Sequence, residues 1–89
     1  MRSVSYSGKF KKDRKKAEKR GKDMQKLTEV MQLLINKKPL PAVLNDHALQ
    51  GNWKPRRDLH IEPDWLLIYI VSDDHVHFER TGTHADLFK

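Results

Sequence analysis

Trp65-Leu66-Leu67-Ile68-Tyr69-Ile70-Val71 is apolar at every position. Successive side chains of a strand point to opposite faces, so a run without a polar member has to be covered on both. We read it as the central strand of a sheet. Pro63-Asp64 before it and Ser72-Asp73-Asp74 after it are turn sequences. Outward from these turns lie a strand over Arg57–Glu62 and another over His75–Thr81, with a weaker strand over 47–53. Connections this short make neighbouring strands antiparallel. Farther upstream, Pro39 and Pro41 end any helix that precedes them. Before that loop, Asp23 caps a helix whose Met24, Leu27, Val30, Met31 and Leu34 recur at three- and four-residue steps to about Asn36. Gly21 separates it from a first helix over 9–20, in which Phe10 and Ala17, seven positions apart, are the main apolar residues. Val4 and Tyr6 alternate with serines in a short opening strand over 4–7, ending at Gly8. The last five residues form a helical turn or a tail. The expected fold is α+β, with two N-terminal helices on one side of an antiparallel sheet of about four to five strands, in a single domain spanning 1–89.

Charge is divided along the chain. Lys and Arg number 18 against 12 Asp and Glu, a net +6, and nine of the cations fall in residues 9–22. The helix there lacks a broad apolar stripe, so Lys9, Lys11, Lys12, Lys15, Lys16 and Lys19 are candidates for RNA phosphate contact. There is no cysteine, which excludes a disulfide scaffold and a thiolate zinc site. No run approaches the roughly 20 apolar residues of a membrane helix, and no secretory signal is visible. A soluble intracellular protein is expected, with a thin core open to support from a partner, since a chain of 89 residues buries only about 60 to 65% of its unfolded surface.

All five histidines follow position 46. Imidazole exchanges protons near neutral pH, and that half also supplies acidic and aromatic side chains. In Arg57–Glu62 the alternation sets Leu59 and Ile61 on one face and Asp58, His60 and Glu62 on the other. With helices on the apolar side, His60 faces the open side, close in sequence to Asp64. Strict alternation through His75–Thr81 would bury Arg80 beside Val76 and Phe78, so the strand must bend, bulge or end there. Gly82 is the expected place for the change, turning His84 and Arg80 toward a shared cleft. An arginine fork and a histidine in one cleft suit metal-free phosphoryl transfer: the guanidinium stabilises the phosphorane and the imidazole protonates the leaving 5′ oxygen. RNA carries its own nucleophile, the 2′ hydroxyl. His75 and His77 share a face with Glu79 at a spacing found in some zinc sites, but a polar sheet edge accounts for them. Trp53 suits the core, Trp65 suits the core or an RNA base equally and is counted with the RNA-binding candidates, and Phe88, near a charged terminus, suits base stacking.

His47-Ala48-Leu49-Gln50-Gly51-Asn52-Trp53, Arg57-Asp58-Leu59-His60-Ile61-Glu62-Pro63-Asp64-Trp65 and Phe78-Glu79-Arg80-Thr81-Gly82-Thr83-His84, with Tyr6-Ser7-Gly8 and Leu40-Pro41-Ala42-Val43, together resemble the YafQ toxins of the RelE/ParE superfamily. The resemblance covers essentially the whole chain. It implies a microbial-ribonuclease-like fold and a bacterial, cytoplasmic toxin of a type II toxin–antitoxin pair, acting as a metal-independent mRNA interferase on the 70S ribosome and cutting mRNA in the A site, with no cofactor. The family's functional positions match His47, His60, Asp64, Trp65, Arg80, His84 and Phe88. On that analogy His84 is the general acid and Arg80 stabilises phosphate charge. His47 positions the reacting nucleotides, and the base lies among His47, His60 and Asp64. The implied partner is a DinJ-type antitoxin, through which alone operator DNA would be bound. A non-enzymatic ParE-like toxin or regulator is the alternative, and it has no need of so many histidines on one side.

Overall fold

The computed structural model describes residues 1–88. In chain order it holds β1 (Ser3–Tyr6), α1 (Gly8–Lys19), α2 (Met24–Ile35), β2 (His47–Ala48), β3 (Arg57–Glu62), β4 (Trp65–Val71), β5 (His75–Gly82) and α3 (His84–Leu87), with 3₁₀ turns at Ala42–Leu44 and Gly51–Trp53. The strands form one sheet in the order β1-β5-β4-β3-β2. β4 is central, as its two apolar faces require: Trp65, Leu67 and Tyr69 enter the main core, while Leu66 and Ile68 enter a smaller cluster on the opposite face. The α+β architecture is the one expected. Two details differ.

First, the sheet is mixed. β1 runs parallel to β5, pairing Ser3 with His75 through Tyr6 with Phe78. Two helices lie between β1 and the rest of the sheet in sequence, so no tight turn obliges β1 to reverse direction. Second, the weak strand over 47–53 survives only as the two residues of β2. Gly51 takes a left-handed φ of 62°, which bends the chain into the 3₁₀ turn that carries Trp53.

The helices begin where the capping signals stand. Ser7 accepts a hydrogen bond from the Phe10 amide and Asp23 one from the Gln25 amide. α1 buries only Phe10 and Ala17, whereas α2 buries Leu27, Val30, Met31 and Leu34. Phe10 stacks with Tyr6 and Phe78 at centroid distances of 5.8 and 5.7 Å, binding α1, β1 and β5 together. Each large side chain fully buried in this way stabilises the fold by about 1.5–3 kcal/mol.

Both strands flanking β4 break their alternation once. Between β4 and β5, Ile68 faces Arg80 while Tyr69 faces Phe78, leaving Glu79 as an extra residue. This bulge lets Thr81, in place of Arg80, take the core-facing position, which resolves the conflict in the strand pattern. The phase change thus occurs at Glu79 and not at Gly82. Between β3 and β4, His60 faces Leu66 and Glu62 faces Trp65, leaving Ile61 unpaired. Glu62 consequently leaves the face of Asp58 and His60 and binds Lys22 and Lys26 on the helix side, at 3.2 and 3.0 Å.

Candidate active site

On the face of the sheet opposite α1 and α2, three imidazoles converge. The His60 ring lies 5.5 Å from that of His84 and 6.5 Å from that of His47. β3 supplies His60, the two-residue β2 supplies His47, and the N-terminus of α3 supplies His84. Asp64, in the turn between β3 and β4, accepts from both the backbone amide of His84, at 2.9 Å, and its Nδ1, at 2.6 Å, through the same Oδ1. These bonds hold the Asp64 carboxyl below the usual carboxylate range, the backbone bond first and the imidazole bond second. The pair leaves the Nε2 edge of His84 directed away from its anchor. That side chain is 53% exposed, so a substrate can reach it.

A carboxylate outside the expected set lies within this group. Asp58 is 4% exposed. His47 Nε2 stands 3.0 Å from its Oδ1, and the Asn45 carbonyl lies 3.0 Å from His47 Nδ1, so each nitrogen of that ring faces an oxygen. Burial pushes the Asp58 carboxyl up, against the pull of His47, His60 and His84. Strand phase had already set Asp58 beside His60; its burial beneath β2 was the missing information. The Nδ1 of His60 is buried without a hydrogen-bond partner. Asp46 fixes the approach to His47: Arg57 binds it at 2.7 Å, and the buried Tyr69 hydroxyl donates to it. Burial and that carboxylate push the Tyr69 phenol well above its ordinary range.

α3 is fixed from two directions. Thr83 and Asp86 form a reciprocal capping box at its start. Arg20 of the turn closing α1 reaches Asp86 at 2.7 Å, and Lys16 lies 3.5 Å from it. The Arg20 guanidinium and the Thr83 amide hold the Asp86 carboxyl far below its usual range. Gly82 has its reason here, because a Cβ at that position would stand 3.0 Å from Asp86 Oδ2 and 3.1 Å from Asp86 Cβ. Space is what it provides; its φ lies outside the left-handed region.

Several expected site residues are placed differently. Arg80 does not share the His84 cleft: its Nε and Nη2 bind Asp13 of α1 at 2.7 and 3.2 Å. Arg80 aligns with Ile68, Ile68 with Asp58, and Asp58 with His47, so two strand spacings, about 10 Å, separate the Arg80 backbone from that of Asp58. Trp65 cannot stack on a base, being 1% exposed with its Nε1 donating to Thr81 Oγ1 at 3.0 Å. Phe88 does find something to pack on: its ring meets that of Trp53 at 5.0 Å in an edge-on contact, over Leu66, Ile68 and Leu87. Lys16 is drawn to Asp86, while Lys9, Lys11, Lys12, Lys15 and Lys19 stand exposed along α1.

His75 and His77 of β5 do not join the group of His47, His60 and His84. Ser3 Oγ lies 2.6 Å from His75 Nδ1, and Ser5 Oγ lies 2.8 Å from His75 Nε2 and 2.6 Å from His77 Nδ1, a chain of bonds that ties β1 to β5. Among the described residues no three or more His, Asp or Glu side chains are grouped as a metal would need. No helix among them is long and apolar enough to cross a membrane.

Comparison with known proteins gives a consistent result. Residues 2–89 match the family described as the bacterial toxin of a type II toxin–antitoxin system, YafQ. The mRNA interferase toxin YafQ of Escherichia coli K12 is 60% identical over 99% of this chain and 97% of its own. Among solved structures, a chain of the E. coli DinJ–YafQ complex is similar at a TM-score of 0.93 with 59% identity. YafQ of E. coli BL21(DE3) is similar at a TM-score of 0.95 with 58% identity. Each covers 100% of both chains.

Proposed function

This chain belongs to the YafQ family of type II toxin–antitoxin toxins, and from that premise we propose that it is a metal-independent endoribonuclease that cuts mRNA on the translating ribosome. The observation that carries the reading is the convergence of His47, His60 and His84 with Asp58 and Asp64 on the open face of the sheet. A family relative named as an mRNA interferase supports the reaction class.

In the proposed reaction a base takes the proton of the RNA 2′ hydroxyl as its oxygen attacks the adjacent phosphorus. The bond from phosphorus to the 5′ oxygen breaks, and His84 donates the proton that the departing oxygen needs. The products are a 2′,3′-cyclic phosphate and a 5′ hydroxyl. Asp64 already receives two bonds from His84, which favours an orienting role for it over that of base. His60, central among the three rings, is then the favoured base. His47, between Asn45 and Asp58, positions the reacting nucleotides. Arg80 contributes phosphate binding from β5, two strands from His60, and Lys9, Lys11, Lys12, Lys15 and Lys19 attract RNA to the face of α1.

We assign the chain a cytoplasmic, ribosome-bound action on A-site mRNA and an acidic, DinJ-type antitoxin partner. The likeness to the toxin of the DinJ–YafQ complex supports that partner, and operator DNA is bound only through the pair. The test is an in vitro translation reaction with and without ribosomes on one mRNA, followed by analysis of the ends. Ribosome-dependent cuts bearing cyclic phosphates, insensitive to a strong chelator and lost in His84→Ala, are expected. Growth inhibition surviving combined His60→Ala and His84→Ala changes would overturn the nuclease reading in favour of a non-enzymatic toxin.

A further inference from the structure

Trp53, whose ring meets that of Phe88, forms one wall of a hollow of about 370 Å³ lined also by Lys9, Asn52, Arg56, Glu79 and Arg80. Its volume is within the ~300–1,000 Å³ usual for small-molecule sites. Three cations line it against one carboxylate, Glu79, which Arg56 approaches at 3.4 Å. Lys9 is exposed on the first turn of α1. Arg80 spends Nε and Nη2 on Asp13, so Nη1 is the guanidinium nitrogen left for a ligand. One wall is aromatic: Trp53 is half-buried, held on edge by Phe88 and from below by Leu66 and Ile68. A cationic hollow with a rigid aromatic wall suits a nucleotide, whose base stacks while its phosphate is held by a guanidinium.

Its location fits the neighbouring chemistry. The Phe88 amide donates to the His84 carbonyl, so a single helical turn joins the residue supporting Trp53 to the proposed general acid. The two strand spacings between Arg80 and Asp58, about 10 Å, are a distance spanned by a nucleotide or two. We propose that this hollow is a subsite for a nucleotide next to the scissile phosphodiester, with the base on Trp53 and the phosphate held by Arg56, Lys9 and the free edge of Arg80. The assignment rests on the RNA-cleavage reading above and adds to it Trp53, Arg56 and a positional role for Lys9.

Binding can be read without cleavage. A short RNA carrying a 2′-deoxy residue at the cut position lacks the nucleophile, and titrating it into the purified protein should quench Trp53 fluorescence, while the buried Trp65 supplies a constant background. Arg56→Ala and Lys9→Ala should each weaken binding and lower its salt dependence by about one phosphate contact. Trp53→Leu should abolish the quench and weaken binding about 5- to 150-fold, the size of one base-stacking contact. In the translation assay Arg56→Ala should raise KM and leave kcat within about twofold. No quench in the wild-type protein, or affinities and salt slopes of Arg56→Ala and Lys9→Ala equal to wild type, would overturn the subsite. The lysine and arginine variants keep the question open to test even where Trp53→Leu folds poorly. Quenching with these losses, but no cleavage of any translated message, would instead remove the nuclease reading and leave the nucleotide site standing.

Discussion

The two faces of the sheet are built to opposite rules. On the helix side the polar groups are paired across elements: Arg57 with Asp46, Lys22 and Lys26 with Glu62, and the Trp65 indole with Thr81. Phe10, Leu27, Leu67 and Phe78 fill the space between them. On the open side only a small apolar cluster is present, and around it stand Asp58 with a raised carboxyl pKa, the Nδ1 of His60 without a partner and His84 largely in solvent. Polar groups left short of partners cost stability, and a cluster of them with one solvent-exposed member, His84, is a candidate for proton transfer to a substrate. One face therefore carries most of the packing and the other, on the proposed reading, the chemistry, with β4 serving both.

This division can be attacked from either side. The largest expected effect is on the open face: His84→Ala should lower cleavage about 10²- to 10⁴-fold, equivalent to about 3–5 kcal/mol of barrier, with the unfolding transition unchanged. Quantitative end mapping together with thermal denaturation would check both halves. Next comes its mirror on the helix face. Phe10→Ala should cost about 3–5 kcal/mol of stability, seen as a lower denaturation midpoint, while any folded fraction retains the wild-type cleavage pattern. A Phe10→Ala protein that lost cleavage without losing stability would blur the division.

Gly82→Ala tests the joint between the faces. Asp86 must shift to admit the new Cβ, and Asp86 is what Arg20, Thr83 and Lys16 hold. A loss of about 1 kcal/mol in stability is expected, with a fall in cleavage larger than that loss explains, because α3 carries His84. Equal proportional losses would detach Asp86 from the placement of His84.

The smallest effect is one of pH. The Asp58 carboxyl is raised above its unfolded value, so its contribution to stability is most favourable below that unfolded value and declines as pH rises through the raised one. Asp58→Asn removes this dependence. The variant should gain stability relative to wild type between acid and neutral pH while losing cleavage, and paired melting curves across that range would show the difference widening. A difference that stays flat, or narrows toward neutral pH, would mean that His47 compensates for the burial of Asp58.

Much of the site was legible along the chain because a strand's side chains alternate regardless of what surrounds it. Leu59 and Ile61 opposite Asp58 and His60 followed from that period alone, as did the pairing of Phe10 and Ala17 on one side of α1. The conflict at Arg80 was visible too, although its resolution was not: a bulge at Glu79 depends on how β5 meets β4, which local pattern does not contain. Trp65 shows the converse. Its indole is equally at home in a core or against a base, and only the position of Thr81, sixteen residues away, decided between them.

What the sequence by itself determined was the main helices and strands, the face each presents up to its bulge, and the choice of open face for the histidines, since these depend on spacing between near neighbours. Tertiary structure decided the partners. Asp13 for Arg80, Asp86 for Arg20, the burial of Asp58 under β2 and the contact of Trp53 with Phe88 join residues from 11 to 67 positions apart. Such pairings form only once the sheet has brought the elements together, because burial and electric field at a side chain depend on every segment packed around it.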